Sequence, residues 1–228
     1  MKLREPMKLS EKTVNLLKNF AGINQSILFK KGNKLRTMSV MKNILAEAEV
    51  EEEFPKDFAI YDLVQFLNGV SLYANPQIEF TTDSNLTIRE GKDRKTKYFF
   101  ADPSVVVAPP EKSIALPTED VCFSLDSDQL ASLMKASAVY QLPDLCAVGE
   151  AGVVKLVVRD KKNDTSNEYS INVGMTDAEF SLNFKVENIK ILPGTYEVVI
   201  SEKLLSRFVN TNYNLTYYIA LEPDSTFG

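Results

Sequence analysis

Apolar residues recur along this chain in two rhythms, one helical and one extended, and the two alternate in a fixed order. Ser10 caps a first helical stretch that runs to about Ala21. Val14, Leu17, Phe20 and Ala21 fall on one side of it; Lys8, Lys12, Asn15 and Asn19 fall on the other, with Lys18 flanking them. Three strand-like runs follow, Ser26 to Lys30, Lys34 to Val40 and Ile44 to Val50, with Lys31-Gly32-Asn33 as a tight turn between the first two. The acidic run Glu51-Glu52-Glu53, ending at Pro55, reads as a solvated loop. Phe58 to Tyr61 is then a short strand, and Asp62 caps a second helix that ends near Tyr73, with Leu63, Phe66, Leu67 and Val70 as its apolar stripe. Three more strand-like runs, Gln77 to Thr82, Asn85 to Glu90 and Lys95 to Phe100, complete the first half.

The second half repeats the order. Val121 to Leu125 is a strand, and Asp126 or Ser127 caps a helix reaching about Val139 with Leu130, Leu133 and Met134 as its stripe. Lys135 and Ser132 point the other way. Asp126 and Asp128 suit a cap and a helix dipole better than acid–base chemistry. Strands follow at Leu145 to Gly149, Val153 to Asp160 and Asn167 to Val173. Glu179 to Phe184 leads into a short helix, Val186 to Ile191, which Pro193-Gly194 stops; strands Tyr196 to Ser201, Leu204 to Val209 and Leu215 to Leu221 close the set. The chain is thus four units, each a helix and three strands, repeated in pattern and not in identity. One such unit is too small to bury a core, so two must pack as one domain. The reading is α+β, with two similar domains that each set two helices on antiparallel sheets.

Between the halves lies Ala101 to Pro117, which holds four of the ten prolines: Pro103, Pro109, Pro110 and Pro117. Proline fixes φ and removes a donor, so the segment is neither helix interior nor central strand. Val105, Val106, Val107, Ile114 and Leu116 make it apolar, unlike a flexible Gly/Ser tether. We place the domains at 1–108 and 109–228, with the connector at about 101–118.

Composition narrows the chemistry. The net charge is −5, which argues against a protein coated in basic surface but leaves room for a basic patch on an acidic body. With no histidine, Ser-His-Asp and Cys-His catalysis are excluded, as is the commonest metal ligand. Cys122 and Cys146 lack metal-ligand spacing; their count allows a disulfide, but the reading is two reduced apolar thiols. No enzyme activity, cofactor or metal is expected. The N-terminus has no apolar core of a signal peptide and no run reaches membrane-spanning length, so the expectation is a soluble intracellular protein with no membrane partner. The Asn-x-Ser/Thr triplets at Asn24, Asn85, Asn163 and Asn214 then read as chance.

Five strings in order carry a family resemblance: Leu16 to Ala21 with Ile23-Asn24; Ala59 to Leu63 with Phe66-Leu67; Ala101 to Ser104 with Val106 to Pro109; Pro193-Gly194 with Tyr196; and Ala220-Leu221-Glu222 with Asp224-Ser225-Thr226. Together they cover nearly the whole chain from about Met7, and with them the chain resembles the T-even-type phage DNA polymerase sliding clamps. Departures are a Met1 to Pro6 extension whose Met1-Lys2-Leu3 echoes Met7-Lys8-Leu9, a shortened loop at Ser201 to Leu205, a tail ending in Phe227-Gly228, and a single basic residue, Lys135, on the third helix.

The resemblance implies a DNA-clamp fold that forms a ring of three identical subunits. Its helices line a hole around double-stranded DNA, bound without regard to sequence. The partners it implies are the replicative DNA polymerase, an ATP-dependent clamp loader and late-transcription factors. The place is the cytoplasm of the infected host cell. It assigns Lys8, Lys12, Lys18, Lys135 and Lys190 to the DNA-facing surface. It assigns Val105, Val106, Val107, Ile114 and Leu116, with Ala220, Leu221 and Pro223, to a pocket for partner peptides. Subunit contacts are expected between edge strands of the first domain of one copy and the second domain of the next. Two rival readings share the pattern: a β-rich interaction scaffold with no nucleic-acid role, and a carboxylate-based hydrolase, which would need a cleft with two close acids.

Overall fold

The computed structural model describes residues 6–228. The Met1 to Pro6 extension and its echo of Met7 lie almost wholly outside the described residues. The chain divides into two compact units, Met1–Pro110 and Glu111–Gly228.

In the first unit the order is α1 (Glu11–Ile23), β1 (Ile27–Phe29), β2 (Gly32–Met38), β3 (Ile44–Phe54), β4 (Phe58–Ile60), α2 (Leu63–Ser71), β5 (Gln77–Glu79), β6 (Asn85–Glu90) and β7 (Arg94–Phe99). β1 pairs with β4, β2 with β3, and β5-β6-β7 form a small sheet, all antiparallel. Met7 adds one bridge to Ile78 of β5. Both helices begin as their sequences dictate: the Ser10 hydroxyl accepts from Thr13 N–H, and the Asp62 carboxylate from Gln65 N–H. α1 and α2 pack together, and the core includes a ring cluster in which Phe29 stacks on Phe58 at 4.5 Å and meets Phe54, tilted, at 4.9 Å. Leu17 and Leu63 are fully enclosed, and each such side chain contributes about 1.5–3 kcal/mol by leaving water.

Two expectations change here. The buried face of α1 is Thr13, Leu16, Leu17, Phe20 and Ile23, whereas Val14 and Ala21 are only half-buried. The acidic run is not a solvated loop, because β3 continues through it to Phe54. Glu52 is buried beneath the start of α1. Its carboxylate accepts from Ser10 N–H at 2.5 Å and from the Thr13 hydroxyl at 2.6 Å. A carboxylate at a helix N-terminus meets unpaired amides and a positive dipole end, which rotates the polar Thr13 inward.

The second unit runs β8 (Val121–Leu125), α3 (Ser127–Tyr140), β9 (Asp144–Glu150), β10 (Val153–Arg159), β11 (Tyr169–Met175), β12 (Phe180–Lys185), β13 (Tyr196–Ser201), β14 (Leu205–Asn210), β15 (Leu215–Ala220) and β16 (Thr226–Phe227). One sheet has the order β11-β10-β9-β12-β16, and β8, β13, β14 and β15 pair in that order. Asp126 caps α3 in a reciprocal box with Gln129. Leu130, Leu133, Ala136 and Ser137 are its buried side; Met134 is half-buried. Both cysteines are free thiols, Cys122 exposed and Cys146 buried.

The expected fourth helix is absent. Val186–Asn188 makes one 3-10 turn without a side-chain cap, and the chain then runs on to Pro193 without helix. Six residues before a proline cannot outweigh the cost of helix nucleation. The backbone of Leu192 is held instead by two buried tyrosines. Its amide donates to the Tyr217 hydroxyl (3.1 Å), and its carbonyl accepts from the Tyr196 hydroxyl (2.5 Å). The repeated order of a helical segment and three strands survives, with a turn in its fourth helical place.

Candidate functional site

The three helices present outer faces almost free of acids, which mix polar side chains with the exposed Val64, Val139 and Tyr140. α1 exposes Lys12, Asn15 and Lys18; α2 exposes Gln65 and Asn68; α3 exposes Ala131 and Lys135. The helices' only carboxylates, Glu11 and Asp128, sit in first turns, where the dipole favours them. Lys8 lies just before α1, exposed, with its ammonium donating to Asn75 Oδ1 at 2.8 Å. Lys190 is exposed on the stretch that the two tyrosines hold at Leu192. Lys8, Lys12 and Lys18 thus belong to the first unit, and Lys135 and Lys190 to the second.

The connector begins with a single turn, Pro103–Val105. The Asp102 carboxylate caps it by accepting from Ser104 N–H at 2.8 Å, and that bond holds its pKa below the ordinary range. Val105 is 53% exposed, while Val106 and Val107 are half-buried. Two side chains hold the stretch after them. The Asn24 amide donates to the Val107 carbonyl (3.2 Å), and the Arg36 guanidinium donates to the Pro110 carbonyl (2.6 Å). In the second unit Ile114 and Leu116 are half-buried, alternating with exposed Ser113, Ala115 and Pro117. Pro223 is exposed, but Leu221 is a core residue at 6% exposure, its amide donating to Leu204 O. Leu221 therefore supports the second unit from within and offers little surface to a ligand.

Several exposed apolar residues escape a reading of the sequence. Val40 (66%) and Met41 (82%) stand at the tip of the β2–β3 hairpin. Their signal was an apolar pair between the turn formers Ser39 and Lys42-Asn43, which the run Lys34 to Val40 absorbed into a strand. Phe99 (63%) ends β7 and Met175 (87%) ends β11. Each of these strands is the last in its sheet, so each leaves one row of backbone groups without a strand partner among the described residues. Tyr61, Asp62, Gln65, Lys97 and Phe99 line an open groove of ≈ 410 Å³ beside the β7 edge. No helix among the described residues is long and apolar enough to cross a membrane.

Comparisons with known proteins agree with this architecture. The family described as DNA polymerase processivity factor matches residues 8–108, and the family described as gp45 sliding clamp, C terminal, matches residues 122–223. The sliding clamp of Vibrio phage KVP40 is 34% identical over 95% of this chain and 99% of its own. That of Escherichia phage RB69 is 32% identical over 96% and 99%. Among solved structures, the clamp of A. fulgidus, seen with the C-terminal region of FEN-1 bound, superposes with a TM-score of 0.68 at 12% identity, covering 93% of this chain and 96% of that one. At that identity the likeness speaks for the fold, which is the DNA-clamp fold. These matches leave a scaffold unconnected with DNA replication without support. Matched in chain order by both family descriptions, and by phage relatives along nearly all its length, the chain belongs to the phage sliding-clamp family of DNA polymerase processivity factors.

Proposed function

We propose that three copies of this chain close into a ring around duplex DNA and tether the replicative polymerase, after an ATP-dependent clamp loader has opened the ring, in the cytoplasm of the infected host cell. The observation that carries the DNA part is the charge of the helices. In a chain of net charge −5, α1 to α3 keep carboxylates out of every turn after the first, while Lys12, Lys18 and Lys135 stand exposed on them. Lysines contact phosphates without reading bases, which suits a surface that must slide. An acidic remainder repels DNA elsewhere, so topology and not affinity retains the duplex. Tethering of this kind requires no catalytic group, cofactor or metal.

Ring closure falls to the two sheet edges. β7 carries Arg94, Lys95 and Lys97, and β11 is bordered by Glu168, Asp177 and Glu179. An unpaired basic edge on one copy and an unpaired edge with acidic flanks on the next are complementary in hydrogen bonding and in charge. Heterologous contacts of this type close when the rotation fits.

The connector, with the hairpin tip, takes partner peptides. Exposed Val105, Val40 and Met41 offer apolar anchoring sites in the first unit; Ile114, Leu116 and Pro223 are separate candidates on the second. A clamp of like fold with the C-terminal region of FEN-1 bound supports this mode. Polymerase, loader and late-transcription factors would then compete for one surface. The test of the DNA surface is Lys12→Glu combined with Lys135→Glu. It should lower loader-dependent processivity at moderate salt while light scattering still reports the trimer; unchanged product lengths would overturn the assignment.

A further inference from the structure

Asn24 connects more segments than any capping role requires. It ends α1, its N–H donating to Phe20 O, and it is only 5% exposed. Its carboxamide oxygen accepts from the amide (3.0 Å) and hydroxyl (3.2 Å) of Ser26, just before β1. Its amide nitrogen reaches in two further directions, to Met38 O at the end of β2 (2.8 Å) and to Val107 O in the connector (3.2 Å). A carboxamide has two donor hydrogens, and here both are used on carbonyls of different segments.

Those two segments carry the exposed apolar groups. Beyond Met38 the hairpin tip is stiff. The Ser39 hydroxyl accepts from the amides of Asn43 and Ile44 (both 3.1 Å), Lys42 N–H donates to Ser39 O, and Lys42 takes a left-handed φ of 59°. Val40 and Met41 therefore stand in water on a rigid support. On the other side, Val107 closes the Val105–Val107 run. A binding edge whose parts are ordered before the ligand arrives loses less entropy on binding.

We infer that Asn24 is a positioning residue for partner binding: by joining the β2–β3 hairpin to the connector, it fixes the spacing between the Val40–Met41 tip and Val105–Val107 into which a partner peptide sets its apolar anchors. The inference rests on the docking role proposed above for this edge. Asp at this position keeps the shape and the acceptor for Ser26 but donates nothing to Met38 O or Val107 O, so the two segments lose their common tie.

The test is a double-mutant cycle on the full-length protein. The probe is a fluorescein-labelled peptide copying the C-terminal segment of the cognate polymerase, followed by anisotropy. Met41→Ser removes an exposed anchor, and Asn24→Asp removes the tie. Each should weaken the peptide about tenfold, the loss typical of a residue that matters at an interface. The double variant should be little weaker than either single, because Asn24 acts through the tip. A loss in the double equal to the product of the two singles would make Asn24 merely structural and overturn the inference. So would normal peptide affinity in Asn24→Asp beside a weakened Met41→Ser, and in that case the docking role itself stands. If Met41→Ser and Val105→Ser both bind the peptide normally, the docking role fails and the inference with it. Should Asn24→Asp not fold, Asn24→Ser, which keeps one donor, carries the same cycle.

Discussion

Two tyrosine hydroxyls do the work of a missing helix. Tyr196 and Tyr217 are fully buried beneath the Lys190 stretch, and their hydroxyls engage both polar groups of the Leu192 peptide. Burial pushes both phenols up, Tyr196 to about 12 from an ordinary 10.0. The folded state therefore keeps a proton that the unfolded state gives up once the pH exceeds 10. Stability contributed by this neutral form is complete below pH 10 and is lost as the pH rises through 12. Unfolding in urea measured between these pH values should show a stability that falls with pH, and Tyr196→Phe should make that fall shallower. A slope unchanged by the substitution would refute the assignment. At this scale the sequence was legible where a side chain serves its own neighbours, as Ser10, Asp62 and Asp126 do in their caps. It was not legible for Leu221, which is apolar and near the expected pocket, yet faces the core.

Among the elements, the join between α1 and β3 shows why face assignments drift. Helical spacing placed Val14 and Ala21 inward, but a buried carboxylate on another strand turned Thr13 inward instead. Glu52 satisfies Ser10 N–H and the Thr13 hydroxyl at once. Glu52→Met keeps the length but removes both acceptors, so Ser10 N–H and the Thr13 hydroxyl both lose the carboxylate. The expected cost is about 1–3 kcal/mol, read as a lower urea midpoint with an unchanged m-value. A midpoint equal to that of the wild type would show that the contact is incidental. The stripe of α2 was legible in full, because Leu63, Phe66, Leu67 and Val70 have no buried polar competitor within the helix.

For the whole molecule, the proposed ring of three copies rests on the two open sheet edges. β7 and β11 end their sheets with open backbone groups, and charge of opposite sign accompanies them. Lys95→Glu with Lys97→Glu should shift the mass measured by light scattering from three copies toward one. Adding Asp177→Lys and Glu179→Lys to the same chain should restore it in part. Full trimer in the first variant would move the contact elsewhere. The order of the elements apart from the fourth helix, the caps of the three helices, the apolar connector and the acidic balance with lysines on helices were determined by the sequence alone. Each depends on residues a few positions apart, and such spacing is visible in one dimension. The tertiary structure alone decided which acid is buried, which apolar pair stays in water and what holds the connector. Those outcomes depend on partners far apart in the chain: Thr13 meets Glu52 across 39 positions, and Asn24 meets Val107 across 83. A contact between such residues exists only when the intervening chain has folded to bring them together.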